Sequence, residues 1–166
     1  MSGQGGHRQS PEAKAERQAR TSAARVYGVQ ALFQMEAAGQ SADRVLREFR
    51  QWRIGRDDED ADMVSVEADE ALFTRIVDDA VNWQSRIDQM TDRALVAKWP
   101  IDRIDPVLRA LFRAAGSELV AAKAPPRVVI VEYVRIAEAF FPDGREPKFV
   151  NAVLDHMARE ARPEAF

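Results

Sequence analysis

Between Glu67 and about Lys98 the chain runs without a proline or a glycine, and its apolar residues return every third or fourth position. Leu72, Phe73, Ile76, Ala80, Trp83, Ile87, Met90 and Ala94 fall on one face at that spacing. This is the period of a helix with one buried side and excludes a strand, whose side chains alternate every second residue. The stretch predicts one long helix, or two abutting helices bent near Gln84–Ser85. It ends at Trp99-Pro100, because a residue before proline is driven out of the helical region.

The rest of the sequence follows the same grammar. Val26, Val29, Leu32 and Phe33 recur at helical steps between Arg17 and Ala38, with Gly39 as the stop. Ser41 is placed to cap a short helix that buries Val45, Leu46, Phe49 and Trp52. Asp105-Pro106 opens another with an N-cap carboxylate and a proline at the first helical position. Its apolar face is Leu108, Leu111, Phe112, Ala115 and Leu119. Pro125-Pro126 starts the next. The run Val128–Val131 has strand composition, but Val129, Tyr133, Ile136, Ala137 and Phe140 continue at helical spacing and decide for helix. After the turn Pro142-Asp143-Gly144, a last helix buries Val150, Val153, Leu154 and Met157. Ile54–Ser65, with its acidic cluster from Asp57 to Asp62, reads as a solvated loop.

The fold expected is all-α, with about seven helices. Residues 1–16 are expected to be a disordered basic arm, since Gly, Ser, Gln and charge dominate them. Residues 17–84 and 85–166 form two helical subdomains of a single structural unit.

Composition removes several functions. The chain has no cysteine, which excludes disulfides, thiolate metal sites and thiol catalysis. Its two histidines, His7 and His156, do not share metal-ligand spacing, and the only Gly-x-x-Gly run, Gly3–Gly6, lies in the arm. Asp78-Asp79 reads as the outer face of a helix. No catalytic residue, metal or cofactor is expected. No apolar run reaches the ~18 residues that span a bilayer, and the N-terminus lacks the apolar core of a secretory signal, so a cytoplasmic, membrane-free protein is expected.

The formal net charge is −3, too acidic for a protein that coats nucleic acid through bulk charge. Its distribution is uneven. Residues 1–25 hold Arg8, Lys14, Arg17, Arg20 and Arg25 against Glu12 and Glu16, while the remainder is acidic. A basic edge on an acidic body suits contact with a polyanion, and is equally met by a solvated tail. Arg44, Arg47, Arg50, Arg53 and Arg56 recur every third residue and so wind around their helix, which favours surface pairing over a flat track.

Two places repay closer reading. Arg17, Arg20 and Arg25 lie on the first turns of a helix leaving the arm, where arginine-rich segments order on RNA phosphates. Arg103 sits in the link before Pro106. The last helix opens with Lys148, Phe149, Asn151 and Asp155: a cation for phosphate, an aromatic ring for stacking, and polar groups for base edges. Spacing alone favours Phe149 as core over a stacking platform.

KFVNAVLD at 148–155 resembles the signature of the NusB family of transcription antitermination factors. ARVYGVQALFQMEAAG at 24–39, WPIDRIDPVLRALFRAAGSEL at 99–119 and PPRVVIVEYVRIAEAFF at 125–141 are similar to its first, fifth and sixth helices, so the likeness covers about residues 20–160. Ala152 stands where the family usually has glycine, and Glu138 where a lysine is common. The resemblance implies two small packed helical bundles and selective binding of single-stranded boxA RNA in ribosomal RNA transcripts. The implied partners are a small-subunit ribosomal protein (NusE) and the RNA polymerase antitermination complex. By position it implies an RNA-facing set of Arg20, Arg25, Arg103, Lys148, Phe149, Asn151 and Asp155. Self-association varies within the family, so a homodimer is among its implications. Two other readings stand beside it: a protein-interaction module without RNA binding, and an accessory domain of a ribosomal RNA methyltransferase, which requires an α/β domain that these residues do not contain.

Overall fold

The computed structural model describes residues 10–54, 67–98, 104–121 and 123–166. They form seven α-helices and no strand. These are α1 (Pro11–Ala38), α2 (Ala42–Trp52), α3 (Glu70–Asn82), α4 (Gln84–Lys98), α5 (Pro106–Ala121), α6 (Pro126–Phe140) and α7 (Glu146–Ala161). The acidic cluster Asp57–Asp62 and Arg103 lie outside the described residues.

The helix starts are set by local chemistry. The Ser41 hydroxyl accepts a hydrogen bond from the Arg44 N–H at 3.3 Å, the Asp69 carboxylate from Leu72 N–H at 3.0 Å, and the Asp105 carboxylate from Val107 N–H at 2.8 Å. Each satisfies one of the orphan donors that a helix N-terminus leaves. At the other end of α1, Gly39 adopts φ 63° and its N–H donates to the Met35 carbonyl. That left-handed stop favours glycine.

Three expectations are corrected. α1 begins at Pro11 and not near Arg17, so residues 11–16 are helical. Ser10 accepts from Ala13 N–H at 3.1 Å and proline occupies the first position, and the alanine, glutamate, lysine and arginine that follow are strong helix formers. Trp83 does not share the buried face. α3 ends at Asn82 and Trp83 takes φ −110°, ψ 17°, so the register resets there and the ring is 46% exposed, with the Arg86 guanidinium 5.9 Å from its centroid. Ile54, expected at the start of a solvated loop, is buried, its N–H donating to the Phe49 carbonyl at 2.9 Å.

The architecture centres on α5, which packs against α1, α3, α4, α6 and α7. It is therefore buried nearly all round, from Leu108 to Leu119, as a helix at the junction of two bundles must be. The apolar core is continuous across both bundles. Two glycines allow the closest approaches. A Cβ at Gly28 would lie 2.8 Å from Ile76 Cγ2, and one at Gly116 only 2.4 Å from Ile87 Cγ2, so α1–α3 and α4–α5 meet where there is no side chain. The Val128–Val131 run is helical, with Val129 and Ile130 buried and Val128 and Val131 exposed.

Candidate RNA interface

Pro11 to Arg20, the first turns of α1, are exposed throughout. At 100° per residue, Lys14, Arg17 and Arg20 spread over about 120° of this overhang, with Glu16 about 40° from Arg20 and Glu12 beyond it. The Arg20 guanidinium stands 3.8 Å from Glu67, and its backbone carbonyl accepts from Asp69 N–H at 3.1 Å. The side chain is half exposed, so that ion pair is weak and exchangeable.

Arg25 behaves differently, and its expected place on an RNA-facing surface is corrected. It is 5% exposed. Its Nε donates to Glu118 Oε2 and its Nη2 to Glu118 Oε1, each at 3.0 Å, with Glu132 3.9 Å away. Ser22 donates to Glu132 at 3.0 Å. Burial alone would lower the Arg25 pKa, but the hydrogen bonds and charge of Glu118 outweigh it, and the group stays above its ordinary value. The cluster joins α1, α5 and α6 inside the protein. Periodicity carried the signal: Arg25 is in phase with Gly28, Val29 and Leu32, and Glu118 sits between apolar Ala115 and Leu119.

Tyr133 is fully buried beside this cluster. Burial, and then the Glu118 carboxylate, push its hydroxyl well above the ordinary value near 10. A folded-state pKa raised in this way keeps the proton on in the native protein after the unfolded chain has lost it. Its stabilising share is thus complete below about pH 10 and falls as pH rises beyond that. Tyr133→Phe is expected to flatten the alkaline limb of a stability profile measured by urea unfolding. An unchanged slope above pH 10 would count against it.

On α7, Val150, Val153, Leu154 and Met157 form the buried side as expected. Lys148, Asn151 and Asp155 fall within about 60° of one another on a different side. Lys148 and Asn151 are exposed. Asp155 is 45% exposed and accepts from Arg159 Nε at 3.0 Å. Phe149 is half-buried, its ring edge-on to Phe112 with centroids 6.1 Å apart. It is both part of the packing and part of the surface. α1 packs on α2, α3, α5 and α6, and α7 on α4, α5 and α6. Arg103 falls outside the described residues.

Two arginines of α2 and the one at its C-cap have protein partners. Arg44 pairs with Glu48 at 3.4 Å, Arg50 donates to Thr74, and Arg53 lies 4.8 Å over the Phe49 ring. Among the described residues no cluster of histidine and carboxylate side chains could hold a metal ion, and no helix is long and apolar enough to cross a membrane.

Residues 22–159 match the NusB family. The chain is 46% identical over 159 residues to the transcription antitermination protein NusB of Maricaulis maris (strain MCS10), covering 95% of this chain and 98% of that protein. It also resembles the solved NusB of T. maritima, with TM-score 0.64 and 31% identity, over 87% of this chain and 95% of that one. A structure of antitermination factors NusB and NusE in complex with dsRNA has a chain of the same fold, with TM-score 0.66 and 23% identity over 84% and 96% of the two chains. A match of this length to the family, with a relative nearly half identical from end to end, has one meaning: the chain belongs to the NusB family.

Proposed function

We propose that this protein is an RNA-binding transcription antitermination factor that recognises boxA-type RNA of ribosomal RNA transcripts together with the small-subunit ribosomal protein NusE. Its place is the RNA polymerase antitermination complex in the cytoplasm, and its work is binding and not catalysis. The observation that carries the reading is the start of α7. Lys148 and Asn151 are exposed there and Asp155 half-exposed, none of them needed to fill the core, on the helix that bears the family signature. Phe149 beside them keeps part of its ring at the surface. The α1 overhang adds Lys14 and Arg17 to Arg20 as phosphate-facing cations, and Arg25 drops out of that set.

The test is binding of labelled boxA RNA and of a scrambled RNA, with and without the ribosomal protein, at moderate salt. Sequence-dependent binding strengthened by the partner is expected. Binding of the ribosomal protein with no preference for boxA over the scrambled RNA, partner present or absent, would favour the interaction-module reading and sink this one. Phe149→Ala is expected to weaken RNA binding by about 1–3 kcal/mol through lost stacking. A parallel thermal melt separates that loss from unfolding, because a ring that was wholly core would cost about 3–5 kcal/mol of stability.

A further inference from the structure

Both ends of the link between α2 and α3 are fastened to α1. At its start the Arg53 carbonyl accepts from the Tyr27 hydroxyl at 3.4 Å. At its end the Asp69 N–H donates to the Arg20 carbonyl at 3.1 Å, and the Glu67 carboxylate stands 3.8 Å from the Arg20 guanidinium. Tyr27 and Arg20 are seven residues apart, or about 10 Å along the helix. The twelve residues from 55 to 66 reach roughly 40 Å when extended, far more than that gap requires.

The surplus chain is acidic. It holds Asp57, Asp58, Glu59, Asp60 and Asp62 against Arg56 alone, and Glu67 continues the run. The overhang beside its anchor is the opposite. Lys14 and Arg17 are exposed, and no ion pair among the described residues engages them. Glu12 and Glu16 lie beyond Arg20 around the helix, which leaves Lys14 and Arg17 on a flank of positive charge alone. Lys14 is about 9 Å outward from Arg20 along the axis. Asp62 is five residues from Glu67, a reach of about 17 Å, so covalent geometry brings carboxylates of the link within range of every cation on the overhang.

We propose that this link is a built-in competitor of RNA, whose carboxylates take the places of phosphates on Lys14, Arg17 and Arg20, with the Glu67–Arg20 pair as the contact nearest the anchor. This rests on the RNA-binding reading above and adds a control on that site: RNA enters by displacing the link. A single exposed pair is weak, but a tethered run of charges acts at the high effective concentration that its tether sets. Phosphate contacts carry no sequence information. The competitor therefore lowers the hold on every RNA alike and leaves the choice of sequence to the base contacts.

The experiment is a cycle of four full-length chains. They are the unaltered chain, a neutral-link variant (Asp57→Asn, Asp58→Asn, Glu59→Gln, Asp60→Asn, Asp62→Asn and Glu67→Gln), an overhang variant (Lys14→Ala, Arg17→Ala and Arg20→Ala), and the two sets combined. Asp69 is kept, since it caps α3. Each chain is titrated with boxA RNA and with the scrambled RNA at about 50 mM salt, where screening is mild. Neutralising the link should tighten both RNAs about three- to tenfold on the intact overhang and less than about twofold on the alanine overhang. Equal gains on both overhangs would mean general repulsion by an acidic body, and would overturn the competitor while leaving RNA binding standing. No gain on either would do the same. If even the neutral-link variant binds no RNA, both readings fail.

Contact is read separately. The chain has no cysteine, so Asp60→Cys with Arg17→Cys introduces a single thiol pair. Its disulfide should form under mild oxidation without RNA, and slow at least about threefold when the other acids of the link are neutralised or boxA RNA is added. A rate indifferent to both changes would overturn the proposal.

Discussion

Replacing Arg25 by alanine is expected to cost about 3–5 kcal/mol of folding stability, because it leaves the Glu118 carboxylate buried without its cation. The guanidinium and the carboxylate are both more than nine-tenths covered, so solvent screening does not soften the loss. Against the 5–15 kcal/mol typical of a domain, this removes a large share of the total. Urea unfolding at neutral pH reads it directly. Arg25→Met with Glu118→Gln should lose less than the two single changes added together, since neither charge is then stranded. If instead Arg25→Ala melts like the parent while losing RNA affinity, Arg25 is a surface contact and the buried clamp is wrong.

The second large effect concerns the overhang of α1. Changing Lys14, Arg17 and Arg20 together to alanine should leave the melting temperature nearly unchanged, because none of the three is buried and alanine favours helix. RNA affinity should fall for boxA and scrambled sequences alike. If all three meet phosphates of single-stranded RNA, the slope of log K against log salt should become shallower by about 2, near 0.7 for each contact. A loss confined to boxA, or a slope that does not move, would show that these cations are not phosphate contacts. The contrast with Arg25 is sharp: five residues apart on one helix, one change unfolds and the other disarms.

Much of this arrangement was readable in the sequence because it depends on neighbours close along the chain. Ser41 and Asp105 announced their helices as caps, Gly39 announced the end of α1, and the period of Val150, Val153, Leu154 and Met157 gave the buried side of α7. Where the reading failed, a long-range partner or a broken register decided the outcome. Arg25 had the phase of a core residue, but its chemical type pointed outward until Glu118, ninety-three positions away, turned it inward. Trp83 had the right spacing for one continuous helix and lost it when the helix stopped at Asn82. The α1 overhang was obscured by composition, since the polar residues that signal disorder are also those that sustain an exposed helix. The α7 trio could be located by subtracting the core face.

α1 can be regarded as a cantilever. Its outer end, Pro11 to Ala19, is exposed throughout and wound from the Ser10 cap, and Arg20 is where the helix first meets another segment, through the Asp69 N–H and Glu67, before the buried residues begin at Ala24. A free helical end of this length is marginal in water, so part of the cost of binding a polyanion there is the cost of keeping those turns wound. Affinity can then be tuned through Ala13, Ala15 and Ala19, which need touch nothing. A glycine at any of them loosens the lever, and the cations at its tip lose grip although none has changed.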